Sequence, residues 1–142
     1  MKKLTKAKRQ ARTRAALETA EEVRLQYLAM DLEPKRTPSG LGYLIHQPGD
    51  GPRLQPGQAV TINYAGLLVA DGTVFDESFS RSKPFRFRLG IGEVIAGWDE
   101  GVDLLRVGDV ATLFIPAKLG YGARGSGPIP GGAELLFYLE VL

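Results

Sequence analysis

The sequence has no cysteine, which excludes a disulfide framework, a thiolate nucleophile and a thiolate metal site. Histidine occurs once, as His46. A Ser/His/Asp triad would have to be built on that residue, but no Gly-x-Ser-x-Gly turn precedes a helix, and no carboxylate spacing offers it partners for a metal. His46 is therefore read as a surface or half-buried side chain. Phosphate-binding loops are missing as well. Gly90-Ile91-Gly92 lacks the third glycine of a dinucleotide fingerprint, and Gly120-Tyr121-Gly122 with Gly125 lacks the lysine and hydroxyl of a phosphate loop. No run of about 18 apolar residues is present, so no membrane span is expected.

Acidic residues are absent from the first fourteen positions, where Lys2, Lys3, Lys6, Lys8, Arg9, Arg12 and Arg14 stand. The rest of the chain holds eleven basic and sixteen acidic side chains, a net charge of −5. A basic arm on an acidic body suits contact with nucleic acid, ribosome or anionic lipid; a solvated helix start or a frayed, soluble tail is the favoured reading, since the arm has no aromatic on which bases stack. The basic start resembles a secretory signal, but charges at Lys8, Arg9, Arg12 and Arg14 stand where the apolar stretch of a signal should be, and the expected location is the cytoplasm.

What is present belongs to an ordinary globular chain: 44% apolar and 24% charged residues exclude disordered and fibrous classes. The length of 142 residues fits one domain with a modest extension. Residues 1–40 are expected to form a basic N-terminal helical extension and linker, and residues 41–142 the domain proper. Within the extension, Ala16, Ala20, Val23, Tyr27 and Met30 recur at helical spacing, predicting a helix from about Thr13 to Met30 that ends before Pro34. One such stripe packs on the domain or pairs with a second copy. Lys35 to Gly40 reads as a polar linker.

From Leu41 short apolar runs alternate with turns. Strands are predicted over Gly42–His46, Gln58–Leu68, Phe85–Leu89, Val110–Ile115 and Glu134–Leu142, with a hairpin-type turn at Ala70–Thr73 leading into Val74-Phe75-Asp76. Phe85, Phe87 and Leu89 alternate with Arg86 and Arg88, one face apolar and one wet. In the last run both faces are apolar, which predicts a central strand. Ile95, Trp98, Val102 and Leu105 recur at spacings of one helical face, predicting a short helix over Val94–Leu105. The expected class is α+β: an antiparallel half-barrel sheet wrapped around one short helix and preceded by an N-terminal helix.

Aromatics stand in or beside turns: Tyr64, Phe75, Phe85, Phe87, Trp98, Tyr121 and Phe137. Individually each suits a core. Together, with Trp98 opening a helix and Tyr121 between two glycines, they suit the walls of a concave apolar site. The stretches Gly72–Ser78, Lys83–Gly90, Glu93–Gly101, Ile115–Pro116 with Leu119–Gly122, and Glu134–Phe137 then follow in an order that resembles the FKBP-type peptidyl-prolyl isomerases, over Leu41–Leu142.

That resemblance implies a pocket lined by Tyr64, Phe75, Asp76, Phe85, Val94, Ile95, Trp98, Tyr121, Ile129 and Phe137, with Trp98 as the floor. It implies a catalytic set of Asp76, Tyr121 and Ile95, in which the Ile95 N–H and the Tyr121 phenol hold substrate carbonyls and Asp76 places a carboxylate at the edge, read here as an organiser that holds a neighbour such as Tyr64 or a cation rather than as a proton donor. It implies no cofactor, substrates that are proline-containing unfolded or flexible chains, and affinity for macrolides such as rapamycin. The segments Tyr27–Ala29 and Ser39–Tyr43 are similar to those of bacterial members with an N-terminal dimerisation region, which implies a weak homodimer through residues 13–30. Two positions depart from the pattern: Gly131 stands where a proline is common, and Ser126 is small. The extra glycine is expected to loosen the loop after Tyr121.

Rotation about an imide bond crosses a barrier of about 18–20 kcal/mol because resonance is broken, which leaves the uncatalysed step at tens of seconds. No acid, nucleophile or metal is required to lower it. Aromatic walls that strip water from the bond favour the twisted, less dipolar state. The rival expectation is a binding or chaperone module in which isomerisation is incidental.

Overall fold

The computed structural model describes residues 4–142, so Lys2 and Lys3 of the basic arm lie outside the described residues. The chain runs α1 (Lys6–Leu28), β1 (Lys35–Arg36), β2 (Gly42–Gln47), β3 (Ala59–Leu68), β4 (Val74–Glu77), β5 (Phe85–Arg88), α2 (Ala96–Val102), β6 (Val110–Ile115), a 3₁₀ turn (Ala117–Leu119) and β7 (Leu135–Val141). The strands form one antiparallel sheet in the order β1-β2-β6-β7-β3-β4, with β5 on β3 beside β4. Among the described residues no helix is long and apolar enough to cross a membrane.

The period-2 pattern of β7 decides how the layers form. Leu135, Phe137, Leu139 and Val141 face one core with Trp98 and Val102 of α2, while Leu136 and Tyr138 face a second core with Ala16, Ala20 and Val23 of α1. A strand apolar on both faces must be covered on both sides. It lies between β6 and β3, in register Phe137 opposite Leu113 and Gly66, as its pattern predicts.

Helix α1 is therefore a layer of the fold. Its small residues Ala16 and Ala20 let the backbone approach the sheet, and polar bonds pin the C-terminal end of the contact. Arg24 donates from Nη1 to the Val69 carbonyl at 2.9 Å and pairs with Glu21. Near the C-terminal end the Tyr27 phenol donates to Glu134 at 2.6 Å while its ring lies 4.2 Å from that of Phe114.

Several boundaries differ from the sequence expectation, each for a local reason. Helix α1 starts seven residues before Thr13 because the Thr5 hydroxyl caps it by accepting from the Lys8 N–H. It stops before Met30, which takes a positive φ of 61° and is 88% exposed, so the last position of the expected stripe leaves the face. The expected linker contains β1, whose Lys35 and Arg36 pair with Tyr43 and Gly42. Val74–Asp76 extends into a full strand, β4, paired with β3. Helix α2 is seven residues long, with Leu105 buried by the turn that follows it.

Candidate functional site

The concave face of the sheet and the N-terminal end of α2 enclose a cavity of about 610 Å³, closed on one side by the loop 120–132. All ten residues expected from the sequence line it: Tyr64, Phe75, Asp76, Phe85, Val94, Ile95, Trp98, Tyr121, Ile129 and Phe137. They come from β3, β4, β5, α2, the loop and β7, so the cavity exists only once the sheet has closed around the helix.

Trp98 forms the floor. Its ring meets those of Tyr64, Phe137, Phe85 and Phe87 at 5.0, 5.2, 5.7 and 5.7 Å, and the first three contacts are edge to face. That geometry sets the positive edge of one ring on the negative face of the next. Phe75 meets Phe137 edge to face at 5.5 Å. These rings close together because Gly66 lies beneath them: a Cβ there would stand 2.7 Å from Phe75 Cζ and 2.8 Å from Phe137 Cε1. The Trp98 indole Nε1–H is buried and has no partner among the described residues.

The rim carries the polar groups. The Tyr64 phenol donates to Asp76 Oδ2, while Asp76 Oδ1 accepts from Arg81 at 2.6 Å and from the Glu77 N–H at 2.9 Å. Burial, followed by the bond to Asp76, pushes the Tyr64 phenol up to about 12. Asp76 is thus committed to a phenol and a guanidinium. It organises the rim and has no geometry for proton transfer into the cavity.

Besides the Trp98 indole N–H, two donors at the cavity are uncommitted. The Ile95 N–H, at the N-cap of α2, bonds to no described residue, although the Ile95 carbonyl accepts from Trp98 and Asp99 within the helix. The unpaired N–H groups of a first helical turn suit such a role. Tyr121, 37% exposed, has no hydrogen-bond partner for its phenol among the described residues. Burial and then the Asp76 carboxylate raise it above the usual phenol range.

Glu93, Gly127 and Pro128, missed by the sequence reading, and Ser126, which it set aside as a departure from the family pattern, also line the cavity. Glu93 and Pro128 directly precede the expected Val94 and Ile129, and that adjacency was the available signal. Glu93 turns one oxygen back to the Arg88 N–H at 2.8 Å.

In the loop, the extra glycine stands where two backbone segments meet. Ser126 and Ile129 exchange two backbone bonds of 2.9 Å, and Gly132 donates to Gly122 at 2.9 Å. At Gly131 a Cβ would stand 2.0 Å from the Ala123 carbonyl oxygen, so the glycine permits a close backbone approach. Gly131→Pro is accordingly expected to displace the loop and raise KM for a proline peptide about tenfold, an effect of about 1.4 kcal/mol. Steady-state kinetics checks it.

Comparison with known proteins agrees with this geometry. Residues 51–142 match the family model described as FKBP-type peptidyl-prolyl cis-trans isomerase. The chain is 54% identical over 86 residues to FK506-binding protein 2 of Emericella nidulans, covering 61% of this chain. The match spans 64% of that relative, just under two thirds of its length. Identity to the FK506-binding protein of Streptomyces anulatus is 45% over 96 residues, covering 66% of this chain and 77% of the relative. The crystal structure of AtFKBP13 superposes with a TM-score of 0.74 at 40% identity, covering 78% of this chain and 97% of that one. Since these relatives are fungal and plant as well as from Streptomyces, the likeness extends beyond the bacterial members suggested by the sequence. The chain belongs to the FKBP-type peptidyl-prolyl cis-trans isomerase family.

Proposed function

We propose that this cavity binds Xaa-Pro segments of unfolded or flexible chains and accelerates their cis/trans isomerisation, assisting folding. The observation that carries the reading is the pairing of an aromatic cavity with two uncommitted donors, the Ile95 N–H and the Tyr121 phenol. A proline ring seated over Trp98, between Phe85 and Phe137, is fixed at one end. The two donors take backbone carbonyls on either side and hold the chain for rotation. The walls exclude water, which removes the solvation that favours the planar, more dipolar amide.

No proton changes hands in this mechanism, and that sets its pH dependence. Both rim phenols stay neutral through the range in which a free phenol, of pKa about 10, is neutral. For Tyr64, whose folded pKa of about 12 is above the unfolded value, the associated stability is fully present below pH of about 10 and is lost as pH rises through about 12. Catalysed isomerisation of a Leu-Pro peptide is therefore expected to be flat between about pH 6 and 9. A bell-shaped profile there would mean acid-base chemistry and would contradict the reading.

The proposal extends to macrolide binding, supported by the size and apolar lining of the cavity and by relatives named as FK506-binding proteins. It also includes a bacterial origin, supported by the Streptomyces relative. Weak self-association through residues 13–30 is left to the outward Leu25 and Leu28, since Ala16, Ala20 and Val23 face the sheet. Activity that survives disruption of the cavity would favour a binding or chaperone module instead.

A further inference from the structure

The isomerase reading leaves the first two turns of α1 without a role. Lys6, Lys8 and Arg14 are exposed and make no ion pair among the described residues. Arg9 is half-buried, and no acid precedes Glu18. The first α1 residue buried against the body is Ala16. Arg12 is the one cation of this group committed to the body, donating to the Phe79 carbonyl with its guanidinium 5.9 Å from the Phe79 ring.

For a helix that served only the fold, this arrangement is electrostatically wrong. The N-terminus of a helix carries the positive end of its dipole and favours acidic residues, yet the first turn of α1 has none. Lys6 with Arg9, and Lys8 with Arg12, are like charges at the spacings where helical side chains meet. A local choice that opposes the fold without a compensating contact marks a function directed outward.

A nucleic-acid backbone fits what is there. From Lys6 to Arg14 the array spans about 12 Å of helix axis, and a duplex presents a phosphate charge every 1.7 Å or so. Between Ser80 and the side of the helix that carries Lys6, Arg9 and Arg14 runs a groove of about 490 Å³, lined also by Gln10, Thr13 and Leu17, while Lys8 stands outside it. Glu77, the nearby acid, turns its carboxylate onto the Ser80 N–H and hydroxyl. The net −5 of the remaining chain confines attraction to this end. The segment has no aromatic for base stacking, so contact is with phosphates and is independent of sequence. A membrane surface fits less well, because a helix lying in the interface needs a free apolar face, and that of α1 is buried on the sheet.

We propose that the N-terminal half of α1, docked as it is, forms a binding surface for the phosphodiester backbone of nucleic acid. The test is fluorescence anisotropy of a labelled DNA duplex of about 20 base pairs with the full chain and with a Lys6→Gln, Lys8→Gln, Arg14→Gln variant, from about 20 to 300 mM salt. The expected results are a log-log salt slope of about −2 to −4 and affinity at least about tenfold weaker in the variant. The variant's Tm should be equal to or above that of the wild type, since like charges leave the positive helix end. The proposal is overturned by no duplex binding at the lowest salt, equal affinity in the variant, or binding confined to phosphatidylserine vesicles tested in parallel. Lost binding with a lowered Tm also overturns it, because the cations would then be holding the helix in place.

Discussion

A chain carrying Trp98→Leu together with Phe137→Ala is expected to lose at least about 100-fold in kcat/KM on a Leu-Pro peptide, equivalent to about 2.7 kcal/mol of transition-state stabilisation. Trp98 touches four rings and Phe137 abuts Phe75 as well as Trp98. Removing both leaves Phe75 without the ring it leans on, takes from Phe85 one of its three ring partners and admits water beneath the bound proline. The folding cost is separable. Phe→Ala in a core costs about 3–5 kcal/mol. Trp98→Leu costs less than a tryptophan truncation of ordinary type, because it also deletes a buried, unpaired indole N–H whose desolvation costs about 1–3 kcal/mol. Domains of this size hold about 5–15 kcal/mol in reserve, so the assay is made in the cold with circular dichroism confirming the fold. A folded double variant with near wild-type activity would mean that the cavity is not the site.

The second large effect is on stability. Helix α2 sits so close to β6 that a Cβ at Gly97 would stand 2.6 Å from Ile115 Cγ2, and one at Gly101 would stand 2.7 Å from Leu113 Cδ1. Ile115 and Leu113 are fully buried. Alanine is the better helix former by about 1 kcal/mol per site, and on propensity alone the Gly97→Ala, Gly101→Ala chain should be more stable. Overpacking at about 1–3 kcal/mol per site opposes that gain, and packing wins because neither neighbour has free volume to retreat into. The expected net loss is up to about 4 kcal/mol, a fall in Tm of up to about 12 °C. Activity should fall with it, since α2 carries both Trp98 and the Ile95 N–H. Thermal unfolding checks the first effect; an unchanged or raised Tm would show that the helix can lift without cost.

The same glycines show what could and could not be read in the sequence. Gly101 looks like a weakness in a predicted helix when judged by propensity alone; in three dimensions it is the condition for the helix to lie on the sheet. Gly131 read as slack, and in the structure it stands at a close backbone approach. Such distances between segments far apart in sequence are invisible to local pattern. Alternation is local, by contrast, and the two-faced apolarity of Leu135–Val141 predicted a central strand correctly. It also required two covering layers, which turned the N-terminal stripe of Ala16, Ala20 and Val23 from an open question into part of the core. The ten cavity residues were legible through the family's motifs, whereas Glu93, Ser126, Gly127 and Pro128 enter by the path of the loop and the turn before α2. The role of Asp76 as a holder of Tyr64 and a cation was also expected, and the structure identifies the cation as Arg81.

The central claim is that one aromatic cavity both binds and isomerises Xaa-Pro bonds. It is tested most directly by nuclear magnetic resonance on the wild-type chain titrated with a Leu-Pro peptide, observing protein amides and peptide cis/trans exchange in one sample. The account predicts that the Ile95 N–H and the Trp98 indole N–H shift on binding while cis and trans peptide signals exchange far faster than the uncatalysed tens of seconds. Accelerated exchange with those two groups unmoved, or peptide binding there with exchange left at the uncatalysed rate, would contradict it.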